Sequence, residues 1–305
     1  MLSILIPIYN YDARELVRTL HKQASQANIE FEILLLDDAS ENTDLRANNQ
    51  ILKNTHNVTL LELPTKAGRS VARNFLAGQA KYRHLLFLDC DSEPVDDLYI
   101  QRYIPFCEKE NIVVCGGTAY KKEKPPKNCY LRWVYGTKCE TTKAAERNLR
   151  PNSRFSTFNF LISKDLFWSI RFNELLKNYG HEDTLFGLEL KKRNIAITHI
   201  DNPLYHLGID TNEEYLQKTR QGVENLKILL EQYPDKQMLI DNIRLLKYYH
   251  KLEITHTLFL AALFFYIFKS PMESNFKGKH PSLTLFNLYK ISYLSGLNFK
   301  KKIEI

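Results

Sequence analysis

Asp89 and Asp91 directly follow an apolar run at residues 84–88 and are separated by Cys90. Side chains two residues apart on an extended chain point to the same side, so both carboxylates can reach one hard cation or a hydroxyl beside it. A divalent ion held by so few protein ligands keeps open positions for phosphate oxygens. The pair also fits a solvated acidic strand end, so its assignment depends on the motifs that accompany it.

The segments around these aspartates alternate between apolar runs and amphipathic stretches. Strands are predicted at residues 2–8, 32–36, 59–63, 84–88 and 112–115, and helices between them at residues 12–26 and 69–80. This alternation is typical of a mainly parallel sheet of the nucleotide-binding type, in which ligands collect at the carboxyl ends of the strands. Asp37 and Asp38 end the second run, so we expect them to face the same crevice as Asp89 and Asp91.

The second half of the chain has a weaker pattern. Residues 119–155, which include Pro125 and Pro126, predict a long loop or a partly ordered connection. Further elements are predicted as strands at 156–163 and 196–201 and as helices at 182–194, at 213–232 and from 236 into an apolar run that begins at 254. The C-terminal part is therefore expected to be helical.

The composition excludes a chain that is mainly disordered, since 44% of the 305 residues are hydrophobic and 25% are charged. The net charge of +7 is unevenly placed. Residues 121–154 hold ten Lys or Arg and three Glu, residues 251–305 hold eight Lys and three Glu, and the rest of the chain is net acidic. Two basic segments on an acidic body predict an anionic partner met at particular places. No nucleic-acid-binding motif accompanies them, so nucleic acid is not an expected partner.

The N-terminus lacks the positive region and the small-residue cleavage site of a signal peptide, which predicts a protein that stays in the cytoplasm. The five cysteines lack C-x-x-C spacing, so neither a disulfide framework nor a zinc knuckle is expected. The longest uncharged run, residues 254–268, is 15 residues long. That is short of the ~18–20 residues that a spanning helix needs, so we expect no ordinary transmembrane helix.

Four short segments resemble, in order and spacing, the nucleotide-sugar-binding half of family 2 glycosyltransferases with the GT-A fold: ILIPIYN at 4–10, LLLDDAS at 34–40, GRSVARN at 68–74 and DCD at 89–91. FNFLISKDLF at 158–167 resembles the strand and helix start beside the family's acceptor site, and GHED at 180–183 resembles its Glu-Asp motif at a helix start. The resemblance covers roughly residues 2–208. It implies an α/β, GT-A Rossmann-like catalytic domain over 1–208, with a nucleotide-sugar half to about 118 and an acceptor half from about 119, and a helical extension over 209–305.

The resemblance also implies which residues bind the donor. Asp38 would accept a hydrogen bond from the uracil ring N–H, with Pro7 and Tyr9 shaping the base pocket. Arg69 would lie over the base or the diphosphate, and Asp89 would contact the ribose. A carboxylate accepts hydrogen bonds, so it suits a ring N–H. Alternatives remain: Pro7 ends a strand, Tyr9 is a core residue, and Arg69 forms a surface ion pair.

By the same resemblance, Asp91 would hold a divalent metal, Mn²⁺ or Mg²⁺, together with His206, which follows a short strand. Neutral imidazole suits Mn²⁺ better than Mg²⁺, which prefers oxygen ligands. The cation would neutralise charge that develops on the departing nucleotide diphosphate. The alternative for a lone histidine is a structural or surface role.

An inverting transfer needs one carboxylate to deprotonate the attacking hydroxyl. The resemblance assigns this base to Asp183 and places Glu182 and Asn159 at the acceptor. Helix capping is the alternative for both carboxylates, because negative charge is favoured at a helix start. His181 stands where the family often has a small residue, which bears on the shape of the pocket.

The two basic segments have candidate roles. Residues 121–154 fall where such enzymes have a mobile flap, whose cations and aromatics would meet donor or lipid-pyrophosphate phosphates and a sugar: Trp133, Tyr135, Arg147, Arg150 and Arg154. A solvated loop is the alternative.

Residues 255–305 combine apolar helical stretches, aromatics and lysines, which predicts a monotopic anchor on an anionic leaflet. The alternative is a helical subdomain packed on the catalytic body or on a dimer partner.

Together these features predict an inverting, metal-dependent glycosyltransferase of the hexosyltransferase type. It would move a sugar from a nucleotide-diphosphate sugar, a UDP-sugar, to a hydroxyl of a glycan or lipid-linked acceptor at the inner face of the cell membrane, in cell-surface polysaccharide synthesis. One alternative is a non-catalytic nucleotide- or glycan-binding module, which would be expected to lose Asp183 or the aspartate pair. Another is a sugar-nucleotide nucleotidyltransferase, whose Gly-rich phosphate loop residues 6–10 lack. The sugar, the linkage and the oligomeric state do not follow from the sequence.

Overall fold

The computed structural model describes residues 1–174 and 180–300. The strands in these residues are β1 (Leu2–Ile8), β2 (Phe31–Asp37), β3 (Val58–Glu62), β4 (His84–Leu88), β5 (Ser92–Pro94), β6 (Val113–Cys115), β7 (Thr118–Ala119), β8 (Asn159–Ser163), β9 (Thr198–His199) and β10 (Leu204–His206). The α-helices are α1 (Arg14–Gln26), α2 (Thr43–Gln50), α3 (Arg69–Gln79), α4 (Tyr130–Tyr135), α5 (Ala144–Asn148), α6 (Lys164–Ile170), α7 (Glu182–Lys192), α8 (Asn212–Gln232), α9 (Lys236–Asn242), α10 (Arg244–Ile254), α11 (Leu258–Phe276) and α12 (Leu283–Lys300).

Seven strands form a mostly parallel sheet in the order β3-β2-β1-β4-β8-β6-β9. The first four strands of this order run parallel to one another, whereas β8 runs antiparallel to β4 and β6. The predicted fold class, a mainly parallel sheet flanked by helices and followed by C-terminal helices, is confirmed. The direction of β8 is new, because an apolar run carries no information on strand direction.

Both faces of the sheet are buried, which explains why its central strands are apolar at nearly every position. Successive residues of a strand point to opposite faces. Ile4 and Ile6 of β1 therefore pack in one core with α1, while Leu5 packs in the other with α3. The second core includes a group of contacting phenylalanine rings: Phe87, Phe160, Phe167, Phe172 and Phe186.

The order of the strands reverses between β1 and β4, since β2 and β3 lie on one side of β1 and β4 on the other. Such a switch point is where ligands bind in open α/β sheets. The register of β1 with β4 ends at Leu5 and Phe87. Pro7 lies beyond this point, so its missing N–H removes no hydrogen bond to β4.

A second, three-stranded sheet has the order β5-β10-β7, and its strand β5 directly follows the aspartate pair. β10 runs antiparallel to β5, with His206 opposite Ser92. The peptide N–H of Leu207 donates to the carbonyl of Asp91 at 2.8 Å. This register brings His206 beside Asp91, although 115 positions separate them in the sequence.

The described chain divides into two compact units, one of residues 1–121, 140–174 and 182–208 and the other of residues 122–139, 180–181 and 209–300. Residues 119–155, predicted as a loop or partly ordered connection, contain the short helices α4 and α5 and a π-helical turn at Gly136–Glu140. Helices this short show too few turns for their periodicity to be recognised.

In the second unit, α8, α11 and α12 are tied by polar contacts: Arg220 donates to Glu273 at 2.7 Å and to the Tyr289 hydroxyl at 2.8 Å. Among the described helices, none alone has the length and hydropathy of a membrane span. Only the joined pair α10 and α11, bent by 116°, meets that criterion of length and composition.

Candidate functional site

The two aspartates after β4 contact different partners. Asp89 Oδ1 accepts a hydrogen bond from Arg73 NH2 at 2.7 Å, and Asp91 Oδ2 lies 3.1 Å from His206 Nε2. The structure therefore brings together the two predicted metal ligands, Asp91 and His206. Asp89, the predicted ribose contact, is paired with Arg73 and so does not share the partner of Asp91.

The other ring nitrogen of His206 belongs to a chain of hydrogen bonds. The Tyr120 hydroxyl donates to Glu140 and lies 3.1 Å from His206 Nδ1. Because the hydroxyl hydrogen is directed to Glu140, the Tyr120 oxygen accepts from Nδ1–H, and in the neutral ring Nε2 then carries the lone pair. A hydrogen-bonded second nitrogen is the usual arrangement for an imidazole that binds a metal.

This arrangement places two acceptors, His206 Nε2 and Asp91 Oδ2, 3.1 Å apart. A positive charge is required between them, either a proton on Nε2 or a bound cation. Burial raises the pKa of the Asp91 carboxyl, but the hydrogen bond and charge of His206 and the charge of Arg69 outweigh it, so that this pKa is below its ordinary value. One carboxylate and one imidazole fit a divalent cation that takes its other ligands from phosphate and water.

Within residues 1–174 and 180–300, no group of three or more His, Cys, Asp or Glu side chains is arranged to hold a metal ion. The predicted metal site has only two protein ligands, Asp91 and His206, so it is not a group of three. Gly208 leaves space beside Asp91, because a Cβ at position 208 would lie 2.2 Å from Asp91 Oδ2.

Arg73 connects the aspartate pair to the start of α7. Its side chain is 2% exposed, donates to Asp89, and places NH1 3.9 Å from Glu182 Oε1. Arg69 NH1 lies 3.8 Å from the same oxygen. Nε and NH1 of Arg73 have no hydrogen-bond partner among the described residues. A buried guanidinium with unpaired N–H groups is costly, so this part of the site lacks acceptors that a ligand can supply.

Asp183 lies at the first turn of α7, directly after the buried Glu182. Its Oδ1 accepts the peptide N–H of Thr184 at 2.6 Å and the Thr184 hydroxyl at 3.3 Å. Burial and the negative charge of Glu182 raise the pKa of Asp183 to about 6. A carboxylate with this pKa is ionised at neutral pH and is a stronger base than an ordinary aspartate.

The predicted donor-binding residues surround the carboxyl end of the sheet. Asp38 accepts the peptide N–H groups of Ala67 at 2.6 Å and Gly68 at 2.9 Å, which holds the turn before α3. Each carboxylate oxygen keeps a second lone pair for a ligand. The Tyr9 hydroxyl donates to Glu41 at 3.1 Å, and Lys66 Nζ lies 3.5 Å from the centre of the Tyr9 ring.

Asn159 does not have the exposure expected of an acceptor ligand. It is 2% exposed, and its Oδ1 accepts the hydroxyls of Tyr99 and Tyr103, each at 2.7 Å. Its Nδ2 donates to the carbonyls of Gly117 at 3.0 Å and Asn202 at 2.9 Å. These four contacts use its hydrogen-bonding capacity, so we assign Asn159 to the internal structure of the sheet and not to the acceptor.

The predicted flap residue Arg147 has a structural position as well. It is 5% exposed, and its guanidinium donates to the carbonyls of Cys115 at 3.2 Å, Gly116 at 3.0 Å and Ile200 at 2.8 Å. This side chain is committed to the backbone and does not meet phosphates. Arg150 and Arg154 are exposed.

The aromatic flap residue Tyr135 packs inside the second unit. Its ring contacts Tyr215 and Phe286, with centroids 5.8 and 5.9 Å away, which places it against α8 and α12. The hypothesis that an aromatic of this segment stacks on a sugar therefore does not extend to Tyr135.

Sequence reasoning missed three residues of the site. Arg73 lies within the recognised segment at 68–74, and a burial pattern along α3 was its only available signal. Tyr120 and Glu140 had no signal, because the contacts of Tyr120 with Glu140 and with His206 span 20 and 86 positions of the chain.

A sequence model described as glycosyl transferase family 2 matches residues 3–171, which is more than half of the chain. An uncharacterized glycosyltransferase of Haemophilus influenzae is 25% identical over 213 residues, which cover 68% of this chain and 80% of that protein.

Two of the solved structures that share the fold hold a nucleotide or a nucleotide-sugar. The mannosyltransferase PcManGT from Pyrobaculum calidifontis, in complex with GDP-Man and Mn²⁺, has a TM-score of 0.60 at 12% identity and covers all of this chain with 88% of its own. S. aureus TarS 1–349 in complex with UDP has a TM-score of 0.51 at 17% identity, with 99% of this chain and 91% of that chain covered. This chain spans 39% of a longer TarS chain. At these identities the likeness shows the GT-A fold.

Proposed function

The chain belongs to glycosyltransferase family 2, and from this premise we propose that it transfers a sugar, with inversion, from a nucleotide-diphosphate sugar to a hydroxyl group. The observation that carries the proposal is the pair of carboxylate sites on one catalytic unit: Asp91 with His206, and Asp183 at the start of α7. The first has the chemistry of a cation site and the second that of a base.

In this proposal Asp183 removes the proton from the acceptor hydroxyl, and Glu182 contacts the acceptor. Thr184 holds Oδ1 of Asp183, and the described contacts leave Oδ2 to receive the proton. Because its pKa is about 6, the base is mostly ionised at neutral pH and is matched to proton transfer there.

The donor lies, in this proposal, at the carboxyl ends of β1, β2 and β4. Asp38 accepts from the base, Pro7 and Tyr9 line it, Asp89 contacts the ribose, and Arg69 lies over the base or the diphosphate. Asp91 and His206 would hold Mn²⁺ or Mg²⁺. When bound, the cation supplies positive charge to the departing diphosphate.

We propose a UDP-sugar as the donor, supported by the likeness in fold to the UDP complex of TarS 1–349. The likeness to PcManGT with GDP-Man supports a GDP-sugar as the competing choice. The proposed acceptor is a glycan or a lipid-linked oligosaccharide in cell-surface polysaccharide synthesis. We place the enzyme on the cytoplasmic side, at the inner face of the cell membrane.

The proposal is tested by measuring binding and hydrolysis of a panel of UDP- and GDP-sugars with Mn²⁺, for the wild type and for Asp91→Ala. We expect one nucleotide-sugar to bind and to be slowly hydrolysed by the wild type, and Asp91→Ala to lose both. Asp97→Ala, which removes an exposed aspartate outside the site, is the matched control. Failure of every nucleotide-sugar to bind contradicts the proposal, and binding without turnover favours a binding module.

A further inference from the structure

Helix α11 is apolar around most of its circumference in its first three turns, but it buries only one stripe. The buried residues are Ala262, Phe265, Met272 and Phe276, which recur at helical spacing and face the rest of the second unit. Helices that are apolar on all sides are normally covered on all sides. The opposite side of α11 therefore needs an explanation.

That opposite side is an exposed apolar face. Five large side chains at i, i+1, i+4, i+7 and i+8 lie within one arc of the helix, and each is about half exposed: Phe259 (56%), Leu260 (51%), Leu263 (52%), Tyr266 (52%) and Ile267 (58%). We call these five residues the α11 face. Ile254, at the end of α10, is also exposed, at 62%. Contiguous apolar patches of this kind mark interaction sites.

The charges around the α11 face are mainly positive, with Glu253 beside His250 as the nearest acid on the N-terminal side. Between residues 254 and 272 there is no Asp or Glu, and the exposed Lys251 and Lys269 lie on either side of the apolar run. From Arg244 to Lys279 the chain has six Lys or Arg and two Glu. An apolar helix face flanked by cations and free of acids matches an anionic lipid leaflet.

We infer that the α11 face lies in the plane of an anionic membrane surface, with its aromatic and aliphatic side chains among the acyl chains and with Lys251 and Lys269 at the headgroups. A second copy of the chain fits this face less well. A two-fold contact brings a patch onto itself, so the flanking lysines of one copy would meet those of the other. The inference extends the proposed location of the enzyme and does not depend on its sugar chemistry.

An in-plane position agrees with the geometry of this region. α10 and α11 meet at 116°, so they do not form one straight span, and Pro271 lies inside α11. The buried stripe of α11 packs on α12, where the Phe265 ring lies 5.3 Å from the Tyr289 ring and 5.2 Å from the Tyr293 ring. One side of the helix is thus held by protein, and the other is left to the membrane.

The test is cosedimentation of the full chain with vesicles of phosphatidylglycerol and phosphatidylcholine, and with vesicles of phosphatidylcholine alone. We expect the wild type to bind the anionic vesicles more tightly. Leu263→Asn with Ile267→Asn should weaken that binding at least about tenfold. Lys251→Gln with Lys269→Gln should weaken binding to the anionic vesicles by about tenfold and leave binding to the neutral ones unchanged.

The control is Ile51→Asn with Leu98→Asn, which replaces apolar side chains of similar exposure elsewhere (61% and 50%) and should bind as the wild type does. Melting curves and nucleotide-sugar binding of every variant show separately whether the fold and the donor site are intact. The inference is overturned if the wild type does not sediment with anionic vesicles, or if the α11-face variant sediments like the control. It is also overturned if the wild type is a dimer without vesicles, the variant is a monomer, and neither binds lipid.

Discussion

Two buried polar networks of the catalytic unit differ in whether their hydrogen bonds are complete. In the packing network, Arg147 and Asn159 satisfy their donors and acceptors with backbone carbonyls and tyrosine hydroxyls. In the site network, two nitrogens of Arg73 have no hydrogen-bond partner among the described residues, and Asp91 and His206 face each other with a positive charge required between them. The site network consists of Arg73, Asp89, Asp91, Glu182 and His206.

The difference separates residues that stabilise the fold from residues that wait for a ligand. Buried polar groups in native proteins are almost always paired, so a complete network contributes to stability and an incomplete one requires another explanation. Here the incomplete network lies at the switch point of the sheet, where a donor is expected to bind. Residue type alone does not distinguish them, since both networks are built around a buried arginine.

The largest expected effect on stability is in the packing network. Arg147→Met should lower the free energy of unfolding by about 3 kcal/mol, because the carbonyls of Cys115, Gly116 and Ile200 lose their donor. Urea unfolding measures this loss. Arg147→Lys keeps the charge but not the planar guanidinium. Its free energy of unfolding should lie between those of the wild type and Arg147→Met. Equal stability of all three proteins would remove Arg147 from the packing network.

Arg73→Met should lower turnover and leave stability nearly unchanged, the reverse of what is expected for Arg147→Met. We expect turnover to fall about a hundred-fold, since Asp89 loses its ion pair and Glu182 its neighbouring cation. The melting temperature should change little, because the substitution also removes two unpaired buried nitrogens. Steady-state kinetics and thermal melting of Arg73→Met beside Arg147→Met give the matched pair. A large loss of stability with unchanged turnover would place Arg73 in the packing network.

Tyr120→Phe probes a contact outside the site network that orients His206. Without the phenol oxygen, Nδ1–H of His206 loses its acceptor, and the ring is free to rotate or to change tautomer. We expect the affinity for Mn²⁺ in the presence of nucleotide-sugar to fall about tenfold. Isothermal titration measures it, with Tyr205→Phe as the control. Unchanged affinity would show that Tyr120 does not position His206.

The smallest expected effect is a shift in pH dependence. Because the pKa of Asp183 is raised to about 6, its base form is lost as pH falls through 6, and turnover should fall with it. Glu182→Gln removes the like charge, so the pKa of Asp183 and the midpoint of this acidic limb should move to lower pH. The pH profile of kcat/KM for both proteins tests the direction. A midpoint that moves upward would contradict the assigned cause of the raised pKa.

The fold was largely predictable, because the four segments at 4–10, 34–40, 68–74 and 89–91 carry both the strand pattern and the resemblance. The contact of His206 with Asp91 was predicted by resemblance, and the register of β10 with β5 gives its structural basis. The assignment of residues to either network depends on which side chains are buried and what they contact in the fold. Arg147 and Asn159 have residue types suited to phosphate and sugar, and only tertiary packing shows that their hydrogen bonds are already used.

Arg73 illustrates the same difficulty from the other side. It lies four residues after Arg69, so one recognised segment contains an arginine that is half exposed and one that is 2% exposed. The position of Arg73 between Asp89 and Glu182 depends on contacts with residues 16 and 109 positions away. Such contacts cannot be read from local spacing.

The most direct test of the central claim compares the wild type with Asp183→Asn, using the donor identified in the nucleotide-sugar panel. Donor affinity with Mn²⁺ and turnover are measured on the same preparations. We predict that Asp183→Asn binds the donor as tightly as the wild type but loses turnover by about a thousand-fold, because the base is gone and the donor site is intact. Turnover close to that of the wild type would contradict the account.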